Sequence, residues 1–485
     1  MQLTRLLAAA DLAAAGLGYD LRCSQDVDVK AITFDSQAVA SGTMYCCVPG
    51  QRFDGHDFAP AAVAAGATAL LVRRPLDLPV AQVVVEDVRA AVGPLADALY
   101  GHPSRAVTVI GVTGTNGKTT TTHLLEAIYR AAGRPAASIG TLSGTRTTPE
   151  APVLQATLAR LRDEGREVVA MEVSSHALVQ HRVDAVAFAA AVFTNLTQDH
   201  LDYHATMEDY FAAKRRLFES GRAAVAVVNV DDPWGRRLRN ELQARRQETG
   251  EAAPVPFSLD DLDELVIGAD GSRFRWRGHE VALRLGGRFN VRNALAAATT
   301  AATLGVDGPS IVAGLEAVDS VRGRFEPVKA GQPFTVLVDY AHTPDGLEQA
   351  LASARELTGS GGRVIVVFGA GGDRDRGKRP LMGAAASRYA DYAVVTSDNP
   401  RSEDPQRIIE EVVAGANSNA ELEVEVDRAR AIEGALRVAQ PGDVVVIAGK
   451  GHERVQEMAG RVVAFDDAEV ARQALLRLQA AGGGW

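Results

Sequence analysis

Cysteine is scarce in this chain. Three occur in 485 residues, Cys23, Cys46 and Cys47. They are too few for a disulfide framework, and no C-x-x-C pair is present to begin a zinc site. Idle thiols in a reducing compartment are the plain expectation. Aromatic residues are also few, at 5%. Glycine and alanine are plentiful instead, which suits α/β layers packed closely through small side chains. No apolar run reaches the roughly 18 residues that a membrane-spanning helix needs. The opening "MQLTRLLAAADLAAAGLG" carries Arg5 and a Leu/Ala run, but Asp11 interrupts it. Leu3, Leu6, Leu7 and Leu12 fit an amphipathic helix better than an export signal. A surplus of basic charge is missing as well. The formal net charge is -10, which argues against a non-specific nucleic-acid binder and leaves room for a basic pocket that takes a small anion.

At roughly 100–200 residues per domain, two to four domains are expected. Residues 1–102 alternate short strands ("VKAITFDSQAV", "TMYCCVPG", "ATALLVRR", "AQVVVEDV") with the helical patterns "FAPAAVAAG" and "VRAAVGPLADALYG". The Gly-Pro punctuation of "GHPSR" marks a boundary. Residues 103–325 contain the fully apolar runs "AVTVIGVTG", "REVVAMEVS", "AAAVFTNL" and "AAVAVVNVDD", the pattern of a buried parallel sheet. Within them the segment 250–286 turns to short alternating strands, expected as an antiparallel edge. "NVRNALAAATTAATLG" then reads as a helix stopped by Gly305. Residues 326–485 repeat the alternation, with "FTVLVDYA", "RVIVVFGAG", "YAVVTSD" and "DVVVIAGKG" between helices. The expected fold is therefore α/β in three domains: an N-terminal domain, a central one with a parallel sheet and phosphate loop, and a C-terminal Rossmann-like one. Ligands of such sheets sit beyond the C-terminal strand ends. Four polar clusters of the last unit fall there: Asp339–His342, Gly369–Arg376, Asp398–Arg401 and Gly449–Glu453.

The strongest motif is "GVTGTNGKTTTTHLLEAI". Gly114 and Gly117 let backbone amides approach phosphate oxygens, and the helix N-terminus adds its positive end. Lys118 would reach the β/γ-phosphates, and the Thr119 hydroxyl would serve Mg²⁺. Val112 stands where the usual pattern has its first glycine. Glu172 closes an apolar strand, a place for a carboxylate on Mg²⁺. His200 and His204 are spaced i,i+4, but Leu201 replaces the glutamate of a zinc-protease motif, so a role for His200 beside phosphate-bound Mg²⁺ is the better reading. Lys214 follows on a helix whose apolar face is Tyr210, Phe211, Leu217 and Phe218; a lysine there would ordinarily lie along the surface.

Taken together, "GVTGTNGKTTT", "MEVSSHAL", "TNLTQDHLDYH", "GRFNVRNALAA", "GRFE", "VDYAHTPDGL" and "AGKGHE" resemble the Mur ligases, the ATP-dependent amide-bond synthetases of peptidoglycan precursors. The resemblance covers essentially the full length. "EVSSHALVQHRVD", "GAGGDRDRGKRPLM" and "SDNPRSEDP" bring it nearest to the members that add the third residue, a diamino acid, to UDP-N-acetylmuramoyl-L-alanyl-D-glutamate. One small departure is Gln198, where relatives often carry Arg. A motor-type NTPase would share the phosphate loop but would not need four polar strand ends in a further domain. A cyanophycin- or folylpolyglutamate-type ligase would not be expected to carry "DNPR".

The resemblance implies a reaction and a set of residues. A substrate carboxylate takes the ATP γ-phosphate to give an acyl phosphate, and an amine then displaces phosphate. ATP contacts are implied at Gly114, Thr115, Asn116, Gly117, Lys118, Thr119, Thr120, Asn195, Asn293, Arg324 and Asp339. Lys118, His200 and Lys214 would be catalytic. Mg²⁺ would be held by Thr119, Glu172, His200 and Lys214, the last as a carbamate. The UDP-substrate would meet Phe34, Ser36, Gln51, Arg52, Phe53, Thr147, Thr148, Ser174, Gln180 and Arg182. The amino acid would meet Arg374, Asp398, Asn399, Pro400, Arg401, Gly449 and Glu453. Asp398, Asn399 and Pro400 are ordinary turn formers, but Arg401 is not; its guanidinium suits the distal carboxylate of meso-diaminopimelate, which L-lysine and L-ornithine, the alternative substrates, lack. Small-molecule partners, a cytoplasmic location and a monomeric state complete the expectation, with no nucleic acid and no membrane span.

Overall fold

The computed structural model describes all residues except 51–52, 145, 269–270, 359–360, 418 and 481–485. The first sheet has five strands, in the order Tyr19–Arg22, Ala81–Val85, Ala67–Val72, Thr43–Cys46 and Ala31–Thr33. Only the first pairing is antiparallel. Leu3, Leu6, Leu7 and Leu12 are all buried, and they share one apolar cluster with Met44, Val83 and Leu95. The amphipathic reading of the first helix, Leu3–Ala10, therefore holds. The same cluster includes Ala151, the first residue of helix Ala151–Asp163 that follows the phosphate-loop region.

A second sheet of six parallel strands is ordered Val255–Phe257, Ala223–Asn229, Phe188–Phe193, Thr108–Thr113, Val168–Glu172 and Ala136–Ile139. Its strands are apolar throughout because both faces are covered. Helices Lys118–Ala131 and Arg288–Thr303 bury Leu124, Leu125, Ile128, Val291 and Leu295 on one side. Leu154, Leu158, Tyr210, Phe211 and Leu238 pack on the other. The segment 250–286 departs from expectation. Val255–Phe257 extends the parallel sheet, while Leu262–Gly268, Gly271–Trp276 and His279–Leu283 form a separate three-stranded antiparallel sheet. Its alternating pattern buries Phe274, Trp276, Val281 and Leu283 against the helical layer, so a second sheet rather than an edge is what the pattern encodes.

The third large sheet runs Glu326–Pro327, Thr335–Asp339, Val444–Ala448, Val364–Phe368, Tyr392–Val395 and Glu421–Val424. All pairings but the first are parallel. Three of the helices that return the chain start on side-chain caps: Thr343 accepts from Gly346 N, Asp404 from Gln406 N, and Asp427 from Ala429 N and Arg430 N. Pro344 and Pro405 occupy first-turn positions, where no N–H is needed. Each such cap contributes about 1 kcal/mol. A short antiparallel hairpin, Val455–Met458 with Arg461–Ala464, stands apart from this sheet. It touches the loop after Tyr392–Val395 through a bridge between Arg401 and Met458.

Candidate active site

The phosphate loop lies between strand Thr108–Thr113 and helix Lys118–Ala131. Gly114 has φ 154° and Gly117 φ 88°. A Cβ on the first would overlap Thr194 Oγ1, and on the second Asn293 Oδ1, so both positions require glycine. Asn195 grips the loop from both sides of one residue: its Oδ1 accepts from Asn116 N at 2.9 Å and its Nδ2 donates to Asn116 O at 3.2 Å. Thr194 Oγ1 donates to that same carbonyl at 2.6 Å. Thr115 Oγ1 accepts from Thr197 N at 3.0 Å. Lys118 Nζ folds back onto Gly114 O and Thr115 O, at 2.9 and 2.8 Å. Burial draws its pKa below the ordinary lysine value, against the pull of Glu172. Thr120 is buried beside it. A cavity of about 190 Å³ opens next to the loop, walled by Asn116, Gly117, Asn195 and Asn293. Asn229, Asp231, Phe289 and Arg292 also line it. No role is expected of those four from sequence: Phe289 and Arg292 precede Asn293 in "GRFNVRNALAA", and Asn229 and Asp231 close the run "AAVAVVNVDD".

Arg324 reaches this site from the segment before the third sheet. Its Nη2 donates to Thr119 Oγ1 at 3.0 Å, and its guanidinium lies 4.7 Å from the Tyr340 ring centre. Asp339 secures the same junction. Its two oxygens accept from Phe325 N and Ala341 N at 2.7 and 2.8 Å, and burial pushes its carboxyl up to about 6. Asn116 Nδ2 also crosses to Asp345 Oδ2, at 3.4 Å.

Glu172, 1% exposed, ends its strand as expected. Its oxygens accept from Thr141 N at 2.8 Å and Thr141 Oγ1 at 3.2 Å. Lys214 is equally buried, contrary to the surface habit of lysine. Its Nζ donates to Gly114 O at 2.8 Å and lies 4.5 Å from the Tyr210 ring centre. Burial, with Lys118 nearby, pushes its pKa well below the ordinary value, which favours the free amine. His200 has φ 56° and its Nε2 lies 3.3 Å from Asp199 Oδ2. Burial lowers its pKa to about 3, so the ring is neutral. His204 turns elsewhere: its Nε2 meets Ser175 Oγ at 2.9 Å and its ring stacks on Tyr210. The i,i+4 pair is thus no zinc pair. Among the described residues, no group of three or more His, Cys, Asp or Glu could hold a metal. A buried carboxylate at Glu172 and the Thr119 hydroxyl are the oxygen donors that Mg²⁺ prefers. The Lys214 amine becomes a donor of that kind only after conversion to a carbamate.

A second cavity, of about 610 Å³, joins the two expected substrate sites. One wall holds Thr147, Thr148, Ser174, Arg182 and His200; the other holds Arg374, Asp398, Asn399, Arg401, Gly449 and Glu453. Arg182 is aimed by Thr148 O at 2.9 Å, Gln180 Oε1 at 2.7 Å and Glu150 Oε1 at 2.7 Å. Gln180 is thus a brace behind the wall. Ser174 Oγ caps helix Ser175–Val179. On the opposite wall Asn399 is saturated: Nδ2 donates to Glu453 Oε2 at 2.8 Å, and Oδ1 accepts from Lys450 Nζ at 2.9 Å and Glu457 N at 3.0 Å. Lys450, fully buried, also meets Glu453 Oε2 at 3.1 Å. Arg428 ties the ends of two strands here: it donates to Ser397 O, just before Asp398, at 3.4 Å and to Ala448 O at 2.9 Å, and it pairs with Asp467 at 2.7 Å.

Several expected residues lie off this cavity. Pro400 is buried against Gly372, where a Cβ would strike its carbonyl, and does not face the cavity. Phe34 packs on the core of the first unit, Ser36 starts the turn Ser36–Ala38, and the exposed Phe53 meets Phe58 edge-on at 6.1 Å. Gln51 and Arg52 lie outside the described residues. Conversely, Lys378, of which no role is expected from sequence, lines the cavity together with His342, the last residue of the polar cluster Asp339–His342. They sit in "VDYAHTPDGL" and "GAGGDRDRGKRPLM", and Lys378 Nζ donates to His342 O at 2.9 Å.

Comparison with known proteins adds a second line. Family models match three stretches: "Mur ligase family, catalytic domain" over residues 28–100, "Mur ligase middle domain" over 112–301, and "Mur ligase, glutamate ligase domain" over 323–451. A curated protein of Geobacillus kaustophilus named UDP-N-acetylmuramoyl-L-alanyl-D-glutamate--2,6-diaminopimelate ligase is 47% identical, with 94% of this chain and 97% of the relative covered. A protein of the same name from Streptomyces coelicolor is 45% identical, covering 93% of each chain. A solved structure bearing that name superposes with TM-score 0.65 at 33% identity, over 93% of this chain and 95% of the other.

Proposed function

The chain belongs to the Mur ligase family of ATP-dependent amide-forming ligases, and from that premise we propose that it joins meso-diaminopimelate to UDP-N-acetylmuramoyl-L-alanyl-D-glutamate. The observation that carries the reading is the 610 Å³ cavity, in which Thr148, Arg182 and His200 face Asn399, Arg401 and Glu453. In the first step the D-glutamate side-chain carboxylate attacks the γ-phosphorus of ATP. An O–P bond forms, the bond to the β-phosphate oxygen breaks, and ADP leaves. In the second, an amine lone pair attacks the acyl carbon, phosphate departs and the amine loses a proton.

Two anions meet in the first step, so cationic groups are needed. Lys118 exchanges its bonds to Gly114 O and Thr115 O for phosphate oxygens. Arg324, already against Thr119, adds a second cation from the junction with the third sheet. Thr119, Glu172, His200 and a carbamylated Lys214 would hold Mg²⁺, which would supply further positive charge to the phosphates. The buried, deprotonated Lys214 amine is the form that adds CO₂. Arg182 takes an anionic part of the UDP-substrate. Arg401 and Arg374 take carboxylates of the amino acid, and Glu453 takes an ammonium. Phe34, Ser36 and Phe53 on the first unit belong to the nucleotide-sugar end of the same substrate. The reaction serves cytoplasmic peptidoglycan precursor synthesis, with the chain acting as a monomer.

Phosphate release tests the proposal. It should require ATP, the UDP-muramyl dipeptide and meso-diaminopimelate together, with L-lysine and L-ornithine turned over far more slowly. Equal turnover of lysine and meso-diaminopimelate would overturn the specificity, and release with ATP alone would overturn the ligase assignment. Intact mass of active enzyme should show a CO₂ adduct that maps to Lys214.

A further inference from the structure

Arg401 lies in the left-handed region, φ 53°, where a non-glycine residue is held only by its surroundings. The hairpin Val455–Met458/Arg461–Ala464 supplies that hold. Arg401 N donates to Glu457 O at 3.0 Å, and Ala459 N donates to Arg401 O at 2.7 Å. Gln456 Nε2 donates to Asp398 O at 2.7 Å, and Glu457 N to Asn399 Oδ1 at 3.0 Å. The guanidinium is fixed as firmly as the backbone. Its Nε donates to Glu457 Oε2 at 3.0 Å, and its Nη1 to Gly372 O at 2.7 Å. Among the described residues Nη2 has no partner. One N–H of Nη1 is spent on Gly372 O, so its second N–H and both of Nη2 remain to take a ligand carboxylate. Arg401 lines the large cavity, whereas Glu457 is not among its lining residues and stands behind the arginine.

We infer that Glu457 is a positioning residue for the selection of the incoming amino acid: from outside the cavity it occupies the Nε edge of Arg401 and so presents the remaining Nη N–H groups to a ligand carboxylate. This rests on the function proposed above. Glu457 touches no substrate in this arrangement. Its carboxylate restricts the rotation of a long side chain before the ligand arrives, so less ordering is left for binding. An arginine without that brace keeps its charge but loses its aim.

The test is steady-state kinetics on wild type, Glu457→Ala and Glu457→Gln, varying each of the three substrates in turn. Glu457→Ala should raise KM for meso-diaminopimelate about three- to tenfold. KM for ATP and for the UDP-muramyl dipeptide should stay unchanged, and kcat should be nearly kept. Glu457→Gln retains an acceptor oxygen and should recover most of the loss. The preference for meso-diaminopimelate over L-lysine should fall in Glu457→Ala by the same factor. Wild-type enzyme that does not use meso-diaminopimelate would refute the proposed function itself. Active wild type with an unchanged KM in Glu457→Ala would overturn the inference alone. So would a lowered KM, the sign of a competing carboxylate, or a parallel loss in all substrates, the sign of a merely structural role.

Discussion

The phosphate loop and the loop 398–401 occupy like positions, each at the C-terminal end of a parallel strand, yet they are held by unlike forces. The first is fixed by close approach and by hydrogen bonds to its backbone, without an ion pair of its own among the described residues: Gly114 against Thr194, Gly117 against Asn293, the two-handed grip of Asn195 on Asn116, and Lys118 and Lys214 on Gly114 O. The second is fixed by charge. Arg401 pairs with Glu457, Lys450 with Glu453, Arg379 with both Glu403 and Glu411, and Arg428 with Asp467. A loop that must fit one invariant polyphosphate can be locked by shape. A loop that reads a zwitterion needs fields, and fields from oriented ion pairs are tunable one residue at a time.

The contrast can be broken from either side. The largest effect is expected at the loop held by shape. Gly114→Ala places a methyl on Thr194 Oγ1 at φ 154°, and should lower kcat/KM for ATP by about a hundredfold or more. An enzyme that tolerates it with its ATP kinetics intact would show that the loop is not set by close approach. Next comes Arg401→Ala, which should raise KM for meso-diaminopimelate by about ten- to a hundredfold while KM for ATP stays put. A rise in both would erase the division of labour between the loops.

The smallest effect concerns acid stability. The Arg379 guanidinium, through hydrogen bonds to Glu403, holds that carboxyl near about 2, below its usual 4.5. A depressed carboxyl stabilises the fold in full above the unfolded value, and the contribution is lost as pH falls from about 4.5 toward 2. Melting curves over that window should therefore fall less steeply for Glu403→Gln than for wild type, a difference of about 1–3 °C in Tm. Parallel curves would mean that the ion pair adds nothing to the hold on this loop.

The same contrast explains what could be read from the sequence. The phosphate loop is written in adjacent letters, since Gly114, Gly117, Lys118 and Thr119 act within one turn. Glu172 and His200 could be singled out locally, each following an apolar strand-like run, whereas the helix pattern at Lys214 pointed to the surface and only the family resemblance implied a role for it. Arg401 stood out as an arginine in a turn that needed none. Its keeper Glu457 did not, because nothing local distinguishes it from any hairpin glutamate. Lys450 sits in the glycine-rich "AGKGHE", and its burial follows only from the meeting of Asn399 and Glu453. The alternating segment 250–286 encoded strands but not their partner sheet, since period two gives a buried face and leaves its destination open. Residues of the first unit carry no comparable pattern, and Phe34, Ser36 and Phe53 lie away from the large cavity.

The hairpin behind Arg401 has a consequence for descent. It is short, it stands outside the large sheet, and beyond its own pairing it is bridged to the loop at Arg401. Substitutions there need no compensation in the ATP machinery or in the sheet. On the inference that Glu457 aims Arg401, changes in this peripheral ribbon would adjust how firmly the amino acid is gripped, while the contacts proposed at Arg374, Arg401 and Glu453, all outside it, are inherited unchanged.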